Sequence, residues 1–187
     1  TSVDRDDLKN DYGAEIWAET IYKIRQYSPK CTIEVLTPDF RNFKPAYERV
    51  FKAQPDIFSH NIECVERISK QVRPQSDWKR SISILKASID WGLETKTGIM
   101  VGLGETDRET LETMQEAADL GITIINIGQY LQPTINHLQV QRFVHPDIFE
   151  MYREKGLKMG FRVIESGPLV RSSYHADEQV KRLSMTY

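Results

Sequence analysis

Cysteine is scarce in this chain: its 187 residues hold only two, Cys31 and Cys64. They make no CxxC pair, no metal-finger spacing and no disulfide framework, which argues against a stapled scaffold or a zinc module. Each reads as a small apolar residue next to a strand. A surplus of one charge is lacking too, since 25 Lys and Arg against 27 Asp and Glu leave a formal net charge of -2. That removes the basic footprint of a nucleic-acid binder. No apolar run approaches the length of a membrane span, and no secretory signal opens the chain. The expectation is a soluble, cytoplasmic protein (mitochondrial in a eukaryote) that engages neither nucleic acid nor membrane. No GxGxxG stands at a strand-to-helix turn, and Gly98 with Gly102-Leu103-Gly104 has a different spacing. An initiator Met is absent as well. Thr1 to Asp7 reads like the end of a strand entering a loop, which predicts a chain whose beginning is missing.

What is present alternates strand and helix throughout, the pattern of a parallel α/β protein. Helices are predicted at Ala14–Tyr27, Ala46–Lys52, Val65–Lys70, Asp77–Trp91, Asp107–Leu120 and Pro146–Met159. Strands are predicted at Thr32–Thr37, Asp56–His60, Thr95–Val101, Ile122–Ile127 and Phe161–Ile164, with a long loop over roughly Gln129 to His145. No repeat, low-complexity stretch or linker divides residues 1–187, so one domain is expected. Each strand runs into polar or glycine-rich residues, as in β/α barrels, whose active sites are built at the C-terminal rim. About five strands fall short of eight. The prediction is therefore a partial (β/α) TIM-type barrel lacking its N-terminal strand or strands, with a doubly wound sheet as the competing architecture.

Several rim segments carry chemistry. Ser166-Gly167-Pro168-Leu169-Val170-Arg171-Ser172-Ser173-Tyr174-His175-Ala176-Asp177 joins a stiff backbone to a guanidinium, two hydroxyls, a phenol, an imidazole and a carboxylate. Gly167 is expected to allow unusual dihedrals while Pro168 fixes its own φ. The plainer reading makes Ser172 or Ser173 the N-cap of a last helix; both readings can hold. Asn61 and Glu63, two apart at a strand end, are placed to hydrogen-bond the vicinal hydroxyls of a ribose. Arg73 has the bidentate geometry to grip a carboxylate. His60 alternates to the other side and reads as a packed histidine. Gly98 to Gly104 would let a flat ligand approach the backbone, and Thr106 with Glu109 has capping-box spacing. Asp4 to Asp7 form a charged loop, and Asp39 after Pro38 suits an Asx turn.

Six strings together resemble one family: Thr1-Ser2-Val3-Asp4-Arg5-Asp6-Asp7-Leu8, Glu34-Val35-Leu36-Thr37-Pro38-Asp39-Phe40, His60-Asn61-Ile62-Glu63, Val101-Gly102-Leu103-Gly104-Glu105, Gly128-Gln129-Tyr130-Leu131-Gln132-Pro133 and Ser166-Gly167-Pro168-Leu169-Val170-Arg171-Ser172-Ser173-Tyr174. Those strings are similar to the lipoyl synthases, members of the radical S-adenosylmethionine (SAM) enzymes. The resemblance implies a radical SAM partial barrel, with residues 166–187 as the C-terminal motif and tail. It implies insertion of two sulfur atoms at C6 and C8 of a protein-bound octanoyl-lysine, using SAM and two [4Fe–4S] clusters. One cluster cleaves SAM to a 5′-deoxyadenosyl radical; the other is consumed as the sulfur source. Implied partners are an octanoylated lipoyl-carrier domain (2-oxoacid dehydrogenase E2 or glycine cleavage H protein) and an electron donor such as ferredoxin or flavodoxin.

By the same resemblance, Asn61 and Glu63 meet the ribose or methionyl part of SAM and Arg73 its carboxylate. Val101, Gln129, Tyr130 and Leu131 lie in stretches that flank the adenine. Ser172, rather than Ser173, ligates iron of the auxiliary cluster, and Arg171 favours the deprotonated serine or helps hold the substrate chain. The chain departs from the family in its cysteines: no CxxxCxxC is present, and Cys31 and Cys64 match no cluster ligand. These 187 residues alone are therefore expected to be inactive. A biotin synthase-like sulfur-inserting enzyme and a non-catalytic carrier-binding domain are the alternatives.

Overall fold

The computed structural model describes Thr1 and residues 4–179; Ser2, Val3 and the tail from residue 180 lie outside the described residues. The elements run α1 (Ala14–Tyr27), β1 (Glu34–Leu36), a 3-10 turn (Phe40–Asn42), α2 (Lys44–Lys52), β2 (Ile57–Ser59), α3 (Glu66–Val72), α4 (Trp78–Asp90), β3 (Glu94–Val101), α5 (Asp107–Asp119), β4 (Ile124–Gln129), α6 (Pro146–Met159) and β5 (Val163–Gly167). The strands form a five-stranded sheet in the order β1-β2-β3-β4-β5. Contacts group the chain into two compact units, Thr1–His60 with Lys79–Lys96, and Asn61–Trp78 with the chain from Thr97 on.

In the first unit, β1 pairs in parallel with β2, and β2 with the start of β3, so that Val35, Phe58 and Thr95 share a level. Val35 and Phe58 face the helices, packing with Trp17, Ala18 and Ile21 of α1, Val50 and Phe51 of α2, and Ile84 of α4. Phe51 meets Phe58 edge-on at 5.0 Å; burying each ring is worth about 1.5–3 kcal/mol. Strand alternation turns Glu34 and Lys96 to the opposite face, where Lys96 Nζ lies 2.9 Å from Glu34 Oε1. His60 is packed as the sequence suggests: its Nδ1 lies 2.8 Å from the Thr37 carbonyl oxygen and its Nε2 2.9 Å from Ser81 Oγ.

In the second unit, β4 pairs in parallel with β5 from Ile124↔Val163 to Gly128↔Gly167. The predicted capping box is present on α5: the Thr106 hydroxyl accepts from the Glu109 backbone N–H, and the Glu109 carboxylate accepts from that of Thr106. Helix α6 opens with Pro146 at its first turn and closes at Gly160, whose φ of 111° is left-handed. Cys64, Val65, Ile68, Leu103 and Tyr130 form a compact apolar cluster against Met100, Leu138 and Val140.

Three expectations change. First, β5 starts at Val163 rather than Phe161 and continues through Gly167, because Ser166 and Gly167 still pair with Ile127 and Gly128. Gly167 thus has strand backbone and is absent from the left-handed positions. Second, no sequence signal announced the turn at Phe40–Asn42, where three non-glycine residues have φ of 46°, 51° and 57°. Asp39 makes the expected Asx-type closure, its Oδ1 accepting from the Arg41 backbone N–H at 2.8 Å, and its Oδ2 also accepts from Arg80 Nε at 2.9 Å. Third, the chain after Ser172 turns before helix begins at residue 176, with His175 at φ 50°.

Candidate functional site

The rim of the second unit gathers most of the expected site residues. Past β2 the chain passes Asn61 and reaches Glu63, which bridges to Ile99 of β3 in parallel fashion. Glu63 donates its backbone N–H to Gly98 O at 3.1 Å and accepts from Met100 N at 2.8 Å. Its φ of 69° is left-handed, an unusual cost for a glutamate. That twist aims the carboxylate at Arg73, whose Nη1 lies 3.4 Å from Glu63 Oε1. Burial pushes the Glu63 carboxyl up from its ordinary range, with Arg73 and a hydrogen bond from Asn61 working against that shift. A charge-assisted bond is usually ~2.7–2.9 Å, so half-buried Glu63 makes a long contact with Arg73. The structure therefore brings Asn61, Glu63 and Arg73 together.

Gly98 makes room for this group. A Cβ there would lie 2.8 Å from Asn61 Oδ1 and 3.6 Å from the Asn126 carbonyl oxygen. Its space belongs to the protein's own side chain, and so does that of Gly102: a Cβ at Gly102 would overlap Gln129 Nε2 and the Arg142 carbonyl. The glycines are needed for close packing within the rim, where the sequence pattern suggested room for a flat ligand. The Glu105 carboxylate completes this turn by accepting from Gly102 N at 2.6 Å and Leu103 N at 2.9 Å.

The adenine-flanking candidates lie side by side. Buried Val101 accepts from the Tyr130 backbone N–H at 2.8 Å, and Tyr130 sends its hydroxyl to Leu138 O at 2.8 Å. Leu131, the next residue, is 45% exposed. The buried Gln129 side chain is committed to backbone, with Nε2 donating to Tyr130 O at 2.9 Å and Arg142 O at 3.0 Å. Its Oε1 accepts from Val144 N at 2.9 Å. Gln129 thereby fastens the loop before α6, assisted by Arg142, which donates to Asp107 Oδ1 at 2.6 Å.

Arg171 and Ser172 follow β5. The Arg171 guanidinium folds back on its neighbour, Nη1 donating to Val170 O at 2.6 Å. Asn126, mid-strand in β4, donates its side-chain amide to Arg171 O at 2.9 Å and Ser172 O at 3.0 Å. Asn126 is not among the residues singled out from the sequence. A signal was there: one amide in the apolar run Ile124-Ile125-Asn126-Ile127 must find partners when buried.

A description of the Radical SAM superfamily matches residues 3–117, more than half of the chain. The chain belongs to the radical SAM superfamily. Proteins called lipoyl synthase are similar to it at length: 50% identical over 97% of this chain in Rubrobacter xylanophilus, 49% over 97% in Bacteroides fragilis and 46% over 96% in Flavobacterium johnsoniae. The chain spans 57%, 62% and 62% of those three proteins. Among solved structures, Streptococcus suis SuiB superposes with a TM-score of 0.64 at 8% identity, covering 80% of this chain and 35% of that one. Methylornithine synthase (PylB) gives 0.61 at 11%, covering 91% and 62%. These likenesses bear out the TIM-type parallel α/β fold.

The residues gathered at this rim suit SAM better than they suit a cluster. A half-buried carboxylate next to a guanidinium suits a ligand offering hydroxyl donors and a carboxylate of its own. The cysteines do not fit the thiolate sets of iron–sulfur sites. Cys31 is exposed and Cys64 buried. Burial, then the Glu63 charge, pushes the Cys64 thiol up to about 12, so it stays protonated. Among the described residues, no three His, Cys, Asp or Glu stand as a metal-holding group, and no helix is long and apolar enough to cross a membrane.

Proposed function

We propose that this chain carries the SAM site and C-terminal motif of a lipoyl synthase, which inserts two sulfur atoms at C6 and C8 of an octanoyl-lysine on a lipoyl-carrier domain. The observation that carries this reading is the joint presence of the Asn61–Glu63–Arg73 group and an Arg171–Ser172 backbone anchored by β4. Identity of 46–50% to lipoyl synthases supports it. The Arg171-Ser172-Ser173-Tyr174 string argues against a biotin synthase. In the bound state Glu63 accepts from ribose hydroxyls and Arg73 exchanges its long contact with Glu63 for the methionyl carboxylate. The Val101 and Gln129–Leu131 stretches flank the adenine.

SAM, when reductively cleaved, supplies a radical that takes hydrogen from unactivated carbon. Ser172 would offer a hard oxygen ligand to iron of a cluster whose thiolates lie elsewhere, and Arg171 would favour its deprotonated form. The thiolates themselves must come from outside these 187 residues, so the 187-residue chain alone is inactive. The acceptor is an octanoylated 2-oxoacid dehydrogenase E2 or glycine cleavage H domain, with reduced ferredoxin or flavodoxin as electron source and the cytoplasm as the setting.

The complete gene product, supplied with SAM, reductant and an octanoylated carrier, is expected to yield the lipoylated carrier by mass spectrometry. An unmodified carrier from cluster-loaded protein contradicts the reading. The 187-residue chain, given iron, sulfide and reductant, is expected to lack stoichiometric [4Fe–4S] absorption; a full complement contradicts the ligand argument.

A further inference from the structure

Two features of β4 converge on one stretch of backbone. Asn126, only 3% exposed, spends its side-chain amide on the carbonyl oxygens of Arg171 and Ser172, 2.9 and 3.0 Å away. Two residues on, and so on the same face of the strand, a Cβ at Gly128 would overlap the Val170 carbonyl oxygen and lie 3.3 Å from Arg171 Nη1. The segment after β5 thus lies over β4 with glycine permitting the approach and asparagine fixing the register. The next turn continues from the same anchor, since Arg171 O also accepts from Tyr174 N at 3.0 Å. Asn126 does this at a cost: its Oδ1 is buried without a hydrogen-bond partner. An apolar residue would avoid that orphaned acceptor, so the amide is accounted for by what its nitrogen holds.

The geometry points to Asn126 as a positioning residue that, with Gly128, sets the backbone conformation of Arg171 and Ser172 and thereby the direction in which the Ser172 side chain is presented. The catalytic meaning of this clamp rests on the proposed role of Ser172; its structural meaning does not. Asn126→Asp is the sharpest variant, because it keeps size and removes the donors, turning carboxylate oxygens toward two carbonyl oxygens. Gly128→Ala attacks the same contact sterically.

Hydrogen–deuterium exchange of the 187-residue chain reads the clamp directly. In Asn126→Asp the Tyr174 amide is expected to exchange at least tenfold faster, while the Ile125 and Ile127 amides of β4 keep their protection. Unchanged Tyr174 exchange in a folded variant overturns the proposal. The unmodified chain gives a test that needs no substitution: both side-chain amide protons of Asn126 are expected to be slow to exchange in NMR spectra, and rapid exchange overturns the clamp. In the complete gene product, Asn126→Asp is expected to keep SAM cleavage within about twofold and to lower lipoyl formation at least tenfold; equal loss of both overturns the positioning role. If Ser172→Ala leaves lipoyl formation intact while Asn126→Asp still frees Tyr174, the ligand reading fails and the clamp stands. A fully active Asn126→Asp beside an inactive Ser172→Ala overturns the positioning role and leaves the ligand reading standing.

Discussion

The side-chain amide of Gln129 fills the space in which a side chain at Gly102 would begin. Gly102 also has φ 97°, a left-handed value that glycine adopts without penalty. Gly102→Ala is therefore expected to lose about 1–3 kcal/mol through overlap alone, with backbone strain adding to it. Urea unfolding measures the loss; a midpoint equal to wild type contradicts the packing described.

Gln129 itself serves as a fastener. Gln129→Leu keeps the volume and removes the bonds to Arg142 O and Val144 N. Leaving a buried Val144 N–H unpaired costs about 1–3 kcal/mol. Limited proteolysis is expected to cut the 130–145 segment faster in this variant; an unchanged cleavage rate would show that other contacts hold the loop.

The start of α1 and both ends of α6 are legible because Gly13, Pro146 and Gly160 punctuate them, and the α5 capping box because Thr106 and Glu109 act locally. The group of Asn61, Glu63 and Arg73 was legible only as a set of residue types. The left-handed Glu63 that aims its carboxylate depends on the bridge to Ile99, a pairing distant in sequence. The turn at Phe40–Asn42 is illegible in the sequence for the same reason: Asp39 is held by Arg80 from α4 as well as by its own turn. Gly102 looked like a ligand cradle because nothing in its neighbourhood along the chain reveals that Gln129 fills it.

The capping box offers a calibrated test. Thr106→Ala is expected to cost about 1 kcal/mol. Glu109, held down to about 2 by Arg67 and Thr106, adds stability that is full above its ordinary 4.5 and is lost as pH falls through about 2. Because this carboxylate is near the surface, salt is expected to weaken the effect. Thermal unfolding between pH 2 and 6 follows it; a Thr106→Ala stability equal to wild type contradicts the cap.

For Glu63 the sign is reversed. Its folded carboxyl is raised by burial, so folding favours the protonated form, and its penalty is absent below the unfolded value and complete above the raised one. Glu63→Gln should gain melting temperature relative to wild type as pH climbs from 4 to 7, while SAM binding weakens. A difference that shrinks with pH contradicts the assignment.

The two thiols differ just as sharply. Cys64, raised to about 12 and buried, is expected to resist iodoacetamide at pH 8 while exposed Cys31 is alkylated. Equal labelling in the folded protein would return Cys64 to the set of possible ligands.

The central claim is that the Arg171–Ser172 segment serves sulfur insertion in a lipoyl synthase whose SAM site lies at Asn61, Glu63 and Arg73. Comparing Ser172→Ala with wild type in the complete gene product tests it most directly, with 5′-deoxyadenosine and lipoylated carrier quantified in one reaction. The account predicts 5′-deoxyadenosine at the wild-type level and no lipoyl product; unchanged lipoyl formation would contradict it.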